Sequence, residues 1–428
     1  MIISVIIAVI LTYTLISIFP EYRNIIVLST AAFFIILGQL TGVFPFEDAL
    51  LSISLPILML MTSMEVFTLI FSKANLFQFL AIKIIQLSKT QTNLFILLML
   101  CLTFLTSCVL NNLTTIFILV PITIYGSKYL KFDPKPIIIA QVIVSNPGGA
   151  STLIGDFPNM LIAGYANIDF IAFIKNMMPA TILFAVVIIL DTVWRQRKQS
   201  DVTRQEIDSS KLISFMNDKL KNTAFDKKTI TIGLIVFVLM IISFIFSKDI
   251  NLPPEAIAFA SAMLFLVLSP KPKEILNELK TDNIFFFAAL FVIVNMVAAT
   301  GVLTIIVNDL VELFGSNKYL ISLSVMYVAA FFTAFFSAGP TTATFLPIAM
   351  QLDSIVPNNN IWWALSLGVC AGSSATLIAA TAGPIATSLC EKYCDDHQSI
   401  SFVEFLKVGL KNGLIFLLIA TVYMLIIL

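Results

Sequence analysis

The chain has 428 residues, of which 59% are hydrophobic and 12% charged, and its mean hydropathy is +0.99. Soluble domains carry roughly 25% charged residues, so this composition excludes them. The balance of 25 basic against 25 acidic residues excludes the basic footprint of a nucleic-acid binder.

Apolar runs long enough to cross a ~30 Å hydrocarbon layer recur along the chain. Barrel strands alternate rather than run apolar, so the fold class is an all-α polytopic membrane protein. Met1 leads directly into such a run, with no basic n-region or small-residue cleavage site, and is read as the start of a retained first helix. The embedded segments are expected at about 2–19, 24–43, 51–71, 93–125, 137–164, 171–193, 229–247, 255–269, 283–304, 319–350, 361–389 and 405–427. Between 194 and 228 lies a polar linker, bounded by Arg195 and Lys228, whose basic excess places it in the cytoplasm.

Working outward from that linker, the loops holding Lys73, Lys83 and Lys89, then Lys128, Lys131 and Lys135, then Lys271, Lys273 and Lys280 should share its side. Loops around Glu47–Asp48, Asn167–Asp169 and Asp353–Asn360 should face the other side. These assignments agree if 93–125 and 319–350 enter and leave on one face as re-entrant hairpins, each arm roughly 20 Å long. Ten crossings then remain, five in an N-terminal repeat (1–193) and five in a C-terminal repeat (229–428) of opposite orientation. Inverted repeats of this kind underlie alternating-access transporters. Segments 72–92 and 305–318 read as interfacial helices that precede each hairpin.

Internal similarity falls on the polar stretches. The first hairpin reads TSCVLNNLTTIFILVPI (106–122) and the second TAFFSAGPTTATFLPI (333–348). GGASTLIGDFPN (148–159) aligns with GSSATLIAATAG (372–383) at a constant offset of 224 residues, so 137–164 and 361–389 are each expected to be a helix broken near its middle. A half-helix begins at each tip, with free N–H groups and a positive dipole end. Asn111, Asn112, Thr114 and Ser151 are suited to cap such starts. Four N-termini around one cavity favour an anion or the oxygens of an oxyacid, and unwound carbonyls with hydroxyls beside them suit Na⁺. The substrate site is therefore assigned to Asn111, Asn112, Thr114, Thr115, Asn146, Gly148, Gly149, Ser151, Thr152, Ser337, Gly339, Thr341, Thr342, Ser373, Ser374 and Thr376. The competing reading is that these small residues only let helices pack closely.

LNNLTTIFILVPI followed by SNPGGASTLIGDFPN, with SAGPTTATFLPIA and GVCAGSSATLIAATAG in the second half, resembles the ArsB/NhaD type of the ion transporter superfamily. The resemblance covers essentially the whole chain. It implies secondary transport by an elevator-like or rocking movement, with cargoes across the superfamily that include arsenite, Na⁺/H⁺, carboxylates, sulfate and silicic acid. Relatives that exchange Na⁺ for H⁺ often carry Asp before Asn in the first hairpin, where this chain has Asn111. The dicarboxylate branch shows Ser-Asn-Thr at both tips, which this chain lacks.

Asp156 is an ionisable residue inside a broken helix, and such residues mark coupling sites. With Asn159 it is assigned to coupling by H⁺ or Na⁺; its repeat counterpart is the uncharged Ala380. The alternative is a structural carboxylate capping the next half-helix. Glu65 is expected to pair with Lys73 or Lys83. Five scattered cysteines (Cys101, Cys108, Cys370, Cys390, Cys394) form no disulfide framework, and Cys390, Cys394 and His397 lack a fourth ligand, so no metal is assigned. Glu391 and Asp395–Asp396 read as solvated loop charges. No Walker-type phosphate loop or catalytic constellation occurs, so no enzyme and no organic cofactor are expected. The expectation is a multi-pass permease of a prokaryotic cell membrane for a small anion, oxyacid or carboxylate, with a Na⁺/H⁺ antiporter as alternative and an ion channel third. Its partners are the bilayer and the cargo, and assembly as a homodimer is compatible with this reading.

Overall fold

The computed structural model describes residues 2–88, 91–200, 225–279, 281–315, 317–356, 358–394 and 399–428. Most of the linker, including Arg204, Lys211, Lys219 and Lys221, lies outside the described residues, as do Lys89, Lys280, Asp395–Asp396 and His397. The described residues fold into α-helices with one short 3₁₀ turn. The N-terminal half holds α1 (Ile2–Ile18), α2 (Arg23–Thr41), α3 (Phe46–Leu51), α4 (Leu55–Lys73), α5 (Leu76–Ser88), α6 (Thr92–Ser107), α7 (Asn112–Leu130), α8 (Lys135–Ala150), α9 (Phe157–Ala166) and α10 (Phe170–Ser200). The C-terminal half holds α11 (Lys227–Ile245), α12 (Pro254–Leu268), α13 (Pro272–Glu278), α14 (Thr281–Ala299), α15 (Val302–Phe314), α16 (Lys318–Phe336), α17 (Ala338–Asp353), α18 (Asn360–Ser373), α19 (Gly383–Tyr393) and α20 (Phe402–Ile427).

The chain is therefore an all-helical, multi-pass membrane protein. Among the described residues, seven helical stretches are long and apolar enough to cross a bilayer: Arg23–Thr41, Phe46–Lys73, Phe170–Arg197, Lys227–Ile245, Thr281–Ala299, Lys318–Phe336 and Phe402–Ile427. Six coincide with expected crossings. The seventh, α16, was expected to be a hairpin arm of roughly 20 Å; its 19 residues reach about 28 Å at 1.5 Å per residue. The apolar stretches Ile2–Ile16 and Pro254–Leu268 are shorter.

The helices pack in matched pairs. Helix α6 lies on α8 as α16 lies on α18; α8 contacts α10 as α18 contacts α20; α2 packs on α14 as α12 packs on α4. The hairpin arms cross over, α7 meeting α19 and α17 meeting α9. Lipid tails are as apolar as leucine, so burying apolar surface does little to join helices in a bilayer, and close backbone approach has to do it instead. Glycine provides that approach at equivalent points. A Cβ on Gly148 would stand 2.6 Å from the Phe104 carbonyl oxygen and 2.8 Å from Ser107 Cβ, and one on Gly372 would stand 2.6 Å from Thr333 Cβ. Both contacts join a broken helix to the first arm of its own hairpin.

The centre of the molecule is the pair α8 and α18. Every residue from Ile137 to Ala150 is buried, and so is every residue of α18. Phe67 and Phe71 each pack on Phe265, with ring centroids 5.3 Å from it, where α4 meets α12. Lys73, one of the partners expected for Glu65, reaches across to the other half: its ammonium lies 2.7 Å from Glu278 and 3.8 Å from Glu274.

Candidate functional site

Both long helices break where the glycine- and serine-rich stretches predict. Helix α8 ends at Ala150 and α9 starts at Phe157; α18 ends at Ser373 and α19 starts at Gly383. Each break is tied down by its threonine. The Thr152 hydroxyl donates to the Cys108 carbonyl at 2.5 Å and the Thr376 hydroxyl donates to the Ala334 carbonyl at 2.8 Å. Those carbonyls lie at the C-terminal ends of α6, where Cys108 is the capping residue, and α16, where helix carbonyls lose their own partners. Thr152 and Thr376, expected to hold cargo, thus fasten the breaks to the hairpins.

The hairpin tips differ. In the first, Asn111 caps α7, its side-chain oxygen accepting from the Thr114 backbone N–H at 2.9 Å. In the second, the tip is Ser337 alone, at φ +70°, and Ala338 to Thr341 are already helical. A non-glycine residue held at positive φ costs on the order of 1–3 kcal/mol and is tolerated where its surroundings fix it. Ser151 does not start a helix, as expected from its type; it follows the end of α8, where its hydroxyl donates to Pro147 O at 2.7 Å and lies 2.8 Å from the Thr181 hydroxyl.

A polar network joins the two halves beneath these tips. Ser107 Oγ lies within donating distance of Asn112 Oδ1 (2.6 Å) and Ser145 O (2.7 Å). Asn112 Nδ2 donates to Asp156 Oδ2 at 3.1 Å and faces Asn146 Oδ1 at 3.4 Å. Asn146 Nδ2 crosses to the other half and donates to Ser373 O at 3.0 Å and Ser374 Oγ at 3.3 Å. Asp156 Oδ1 accepts from the Phe157 N–H at 2.9 Å, so the carboxylate also caps α9. Asn159 closes its own break by donating to Gly149 O at 3.0 Å and Thr152 O at 3.1 Å, and its Oδ1 accepts from Ser366 of α18 at 2.9 Å. Gly149 is required here, because a Cβ would sit 2.6 Å from Asn112 Oδ1.

Two assigned residues have no such engagement. The hydroxyls of Thr115 and Thr342, 1% and 0% exposed, find no hydrogen-bond partner among the described residues. They occupy matching places one turn into α7 and α17. Other assigned hydroxyls bond within their own helices: Thr341 donates to Ser337 O at 2.9 Å, and Ser373 donates to Val369 O at 2.8 Å.

A cavity of about 70 Å³ opens beside Asp156. Four helix starts line it: Leu113 of α7, Phe157 and Pro158 of α9, Gly339 and Pro340 of α17, and Thr381 just ahead of α19. Ser337 and Asp156 complete the rim with Arg23, Asn283, Phe286 and Phe287 from α2 and α14. Of the assigned residues, Asp156, Ser337 and Gly339 reach this cavity directly. Asn112, Asn146, Asn159, Ser373 and Ser374 stand behind it in the network, and Thr114 enters only through its backbone N–H. Arg23 was not anticipated, because a single arginine at the start of a span reads as an ordinary flank charge.

A second cavity, of about 350 Å³, lies past the first break, lined by Leu153, Met160, Gly164, Asn167 and Asp169 together with Ser247, Lys248 and Asn251 to Glu255. At its rim Lys248 pairs with Asp169 at 2.6 Å. Partial burial works against ionisation of Asp169, yet the Lys248 ammonium and the Ala172 N–H hold its carboxyl below the usual carboxylate range.

The comparisons agree with this architecture. A family model described as "Citrate transporter" (CitMHS) matches residues 5–368. The chain is 30% identical over 423 residues to the magnetosome protein MamN of Magnetospirillum gryphiswaldense, covering 96% of each. It is 25% identical over 422 residues to a 46 kDa membrane protein of Mycobacterium leprae, covering 97% of this chain and 96% of that one. Among solved structures, the YdaH transporter of Alcanivorax borkumensis shares the fold with a TM-score of 0.59 at 14% identity, over 91% of this chain and 87% of that chain.

Proposed function

The chain belongs to the CitMHS citrate transporter family and is a membrane transporter; from that premise we propose that it carries a small carboxylate anion by ion-coupled secondary transport. The observation that carries this reading is the convergence of four helix starts on one cavity. Free N–H groups and aligned dipoles at such starts favour negative charge, and carboxylate is the anion that the family's description names. Moving it against a gradient requires a second ion. Asp156 supplies a carboxylate at the same cavity, and the buried, unpartnered hydroxyls of Thr115 and Thr342, in the helices that start there, are candidate oxygen ligands.

The matched contacts of the two halves support an inverted repeat comprising 1–193 and 229–428, joined by the linker 194–228. An inverted repeat can expose a central site to each side in turn. In this reading the hairpins and broken helices move as an elevator-like unit against α2, α4, α12 and α14. Na⁺/H⁺ exchange is the second reading, favoured by the hydrogen-bonded Asp156 alone. Uptake of radiolabelled citrate into proteoliposomes under imposed Na⁺ or pH gradients separates the two. Concentrative citrate uptake supports the carboxylate reading; Na⁺ flux without citrate movement overturns it.

Replacing Thr115 or Thr342 with valine tests the ion ligands. A buried hydroxyl left unpaired costs about 1–3 kcal/mol, so a purely structural threonine lost to valine would leave the fold as stable or more stable. The expected result is an unchanged or raised melting temperature together with about tenfold weaker coupling-ion activation, corresponding to ~1.4 kcal/mol. Calorimetry and ion titration of uptake on the same preparation read both quantities.

A further inference from the structure

Arg23 is the first residue of α2, directly after the 3₁₀ turn Pro20–Tyr22. Two contacts with α14 fix its guanidinium. Nη2 donates to Asn283 Oδ1 at 3.1 Å, and the guanidinium carbon stands 5.4 Å from the centre of the Phe286 ring. The next residue, Phe287, packs on Phe157 with ring centroids 5.3 Å apart. Phe157 directly follows Asp156. One helix therefore positions the arginine and touches the start of α9 beside the carboxylate.

The arginine is only partly satisfied. Among the described residues it forms no ion pair within 4 Å, and Asp282 attracts it from farther away. A guanidinium carries five N–H donors in a planar fork, and one hydrogen bond, to Asn283, is made here. The remaining donors belong to a group that lines the same small cavity as Asp156, Ser337, Gly339 and Thr381. That cavity is small, about 70 Å³, where a single water needs about 10–15 Å³ of such space. It suits one carboxylate group rather than a whole polycarboxylate.

We infer that Arg23 is a specificity-determining residue that receives one carboxylate of the cargo in a bidentate fork, while the dipoles of the four helix starts around the cavity stabilise the charge of that same carboxylate. This inference rests on the carboxylate reading above. The chemistry is that of a planar double hydrogen bond between guanidinium and carboxylate, which fixes orientation as well as charge. A lysine would keep the charge and lose the fork. With Arg23 and Asp156 on one rim, an arriving carboxylate finds its partner at one place and a like charge at another. The coupling cation or proton then answers Asp156 and leaves Arg23 to the cargo.

The test compares the intact protein with Arg23→Gln and Arg23→Lys in proteoliposomes, using citrate, a dicarboxylate and a monocarboxylate. Arg23→Gln is expected to raise KM for citrate about 30-fold, the scale of losing one partner of a desolvated charge pair. Its kcat and its dependence on the coupling ion should stay within about twofold, and its preference for citrate over the monocarboxylate should collapse. Arg23→Lys should fall between, with discrimination partly restored, and it carries the test alone should the glutamine variant not fold. If the unaltered protein accumulates citrate while both variants keep its KM and its preference, the Arg23 inference is overturned and the carboxylate reading stands. If the unaltered protein moves none of the three, the carboxylate reading has failed and the inference falls with it.

Discussion

Replacing Asp156 with asparagine should cut ion-coupled uptake by about 30-fold or more while the protein remains folded, on the 2 kcal/mol or more that a desolvated, hydrogen-bonded charge contributes to binding. The variant separates two roles that the geometry gives one side chain. Asp156 Oδ1 caps α9 through the Phe157 N–H, and Oδ2 accepts from Asn112. Asparagine caps a helix nearly as well as aspartate, so α9 keeps its start. It has one oxygen, however, and so can keep only one of the two acceptor roles. Retaining the cap turns an amide toward the Asn112 amide, and the loss is about 0.5–1.5 kcal/mol for one hydrogen bond. Such a cost lowers stability slightly and leaves the fold in place. Placing Asn112→Asp in the same background restores an acceptor and a charge within the same contact, and should recover part of the ion dependence. Ion-gradient-driven uptake and a thermal melt on one sample decide the matter. A variant that still follows the Na⁺ or H⁺ gradient would reduce Asp156 to a cap.

What could be read from the sequence depended on whether a residue's signal was local. The breaks at 151–156 and 374–382 were legible because Gly, Ser and Thr cluster there against long apolar flanks, and because the clusters recur at an offset of 224 residues. The first cap, Asn111, was legible for the same reason. The partners of each polar side chain were not, since they come from other helices. Thr152 and Thr376 looked like ligands and are fasteners for the ends of α6 and α16. Ser107 drew no attention in its apolar run, yet it lies within bonding distance of both Asn112 and Ser145. Arg23 is the clearest case: its relevance comes wholly from α14, some 260 residues away. Helix α16 is longer than the arm expected for it, because the length of an apolar segment does not say how its residues divide between two arms.

Asn146→Leu should disconnect the two halves at their centre. Leucine has the branched shape and heavy-atom count of asparagine with bulkier methyl groups, so the variant removes polarity without opening a cavity in buried α8. It takes from Ser373 O its 3.0 Å donor and from Ser374 Oγ its 3.3 Å one, and it removes the acceptor facing Asn112. Stranding a buried carbonyl costs about 1–3 kcal/mol in water-soluble proteins. In a bilayer the measured value for such interhelical bonds is lower, about 0.6 kcal/mol on average and up to ~2. The expected destabilisation is therefore about 1–2 kcal/mol, read as a lower melting temperature in detergent. Transport should suffer more than stability. Asn146 is linked to Asp156 through Asn112 and directly to the second break, so it registers Asp156 against the opposite half. A double-mutant cycle with Ser374→Ala isolates that link. Because Ser374 also donates to Cys370 O at 3.1 Å, its own replacement carries a separate local cost, and only the non-additive part reports on Asn146. A coupling of about 0.5 kcal/mol or more is expected for residues sharing a bond. Additivity within ~0.3 kcal/mol, with uptake intact, would mean that the halves communicate by the packing of α2 on α14 and α4 on α12 rather than through this network.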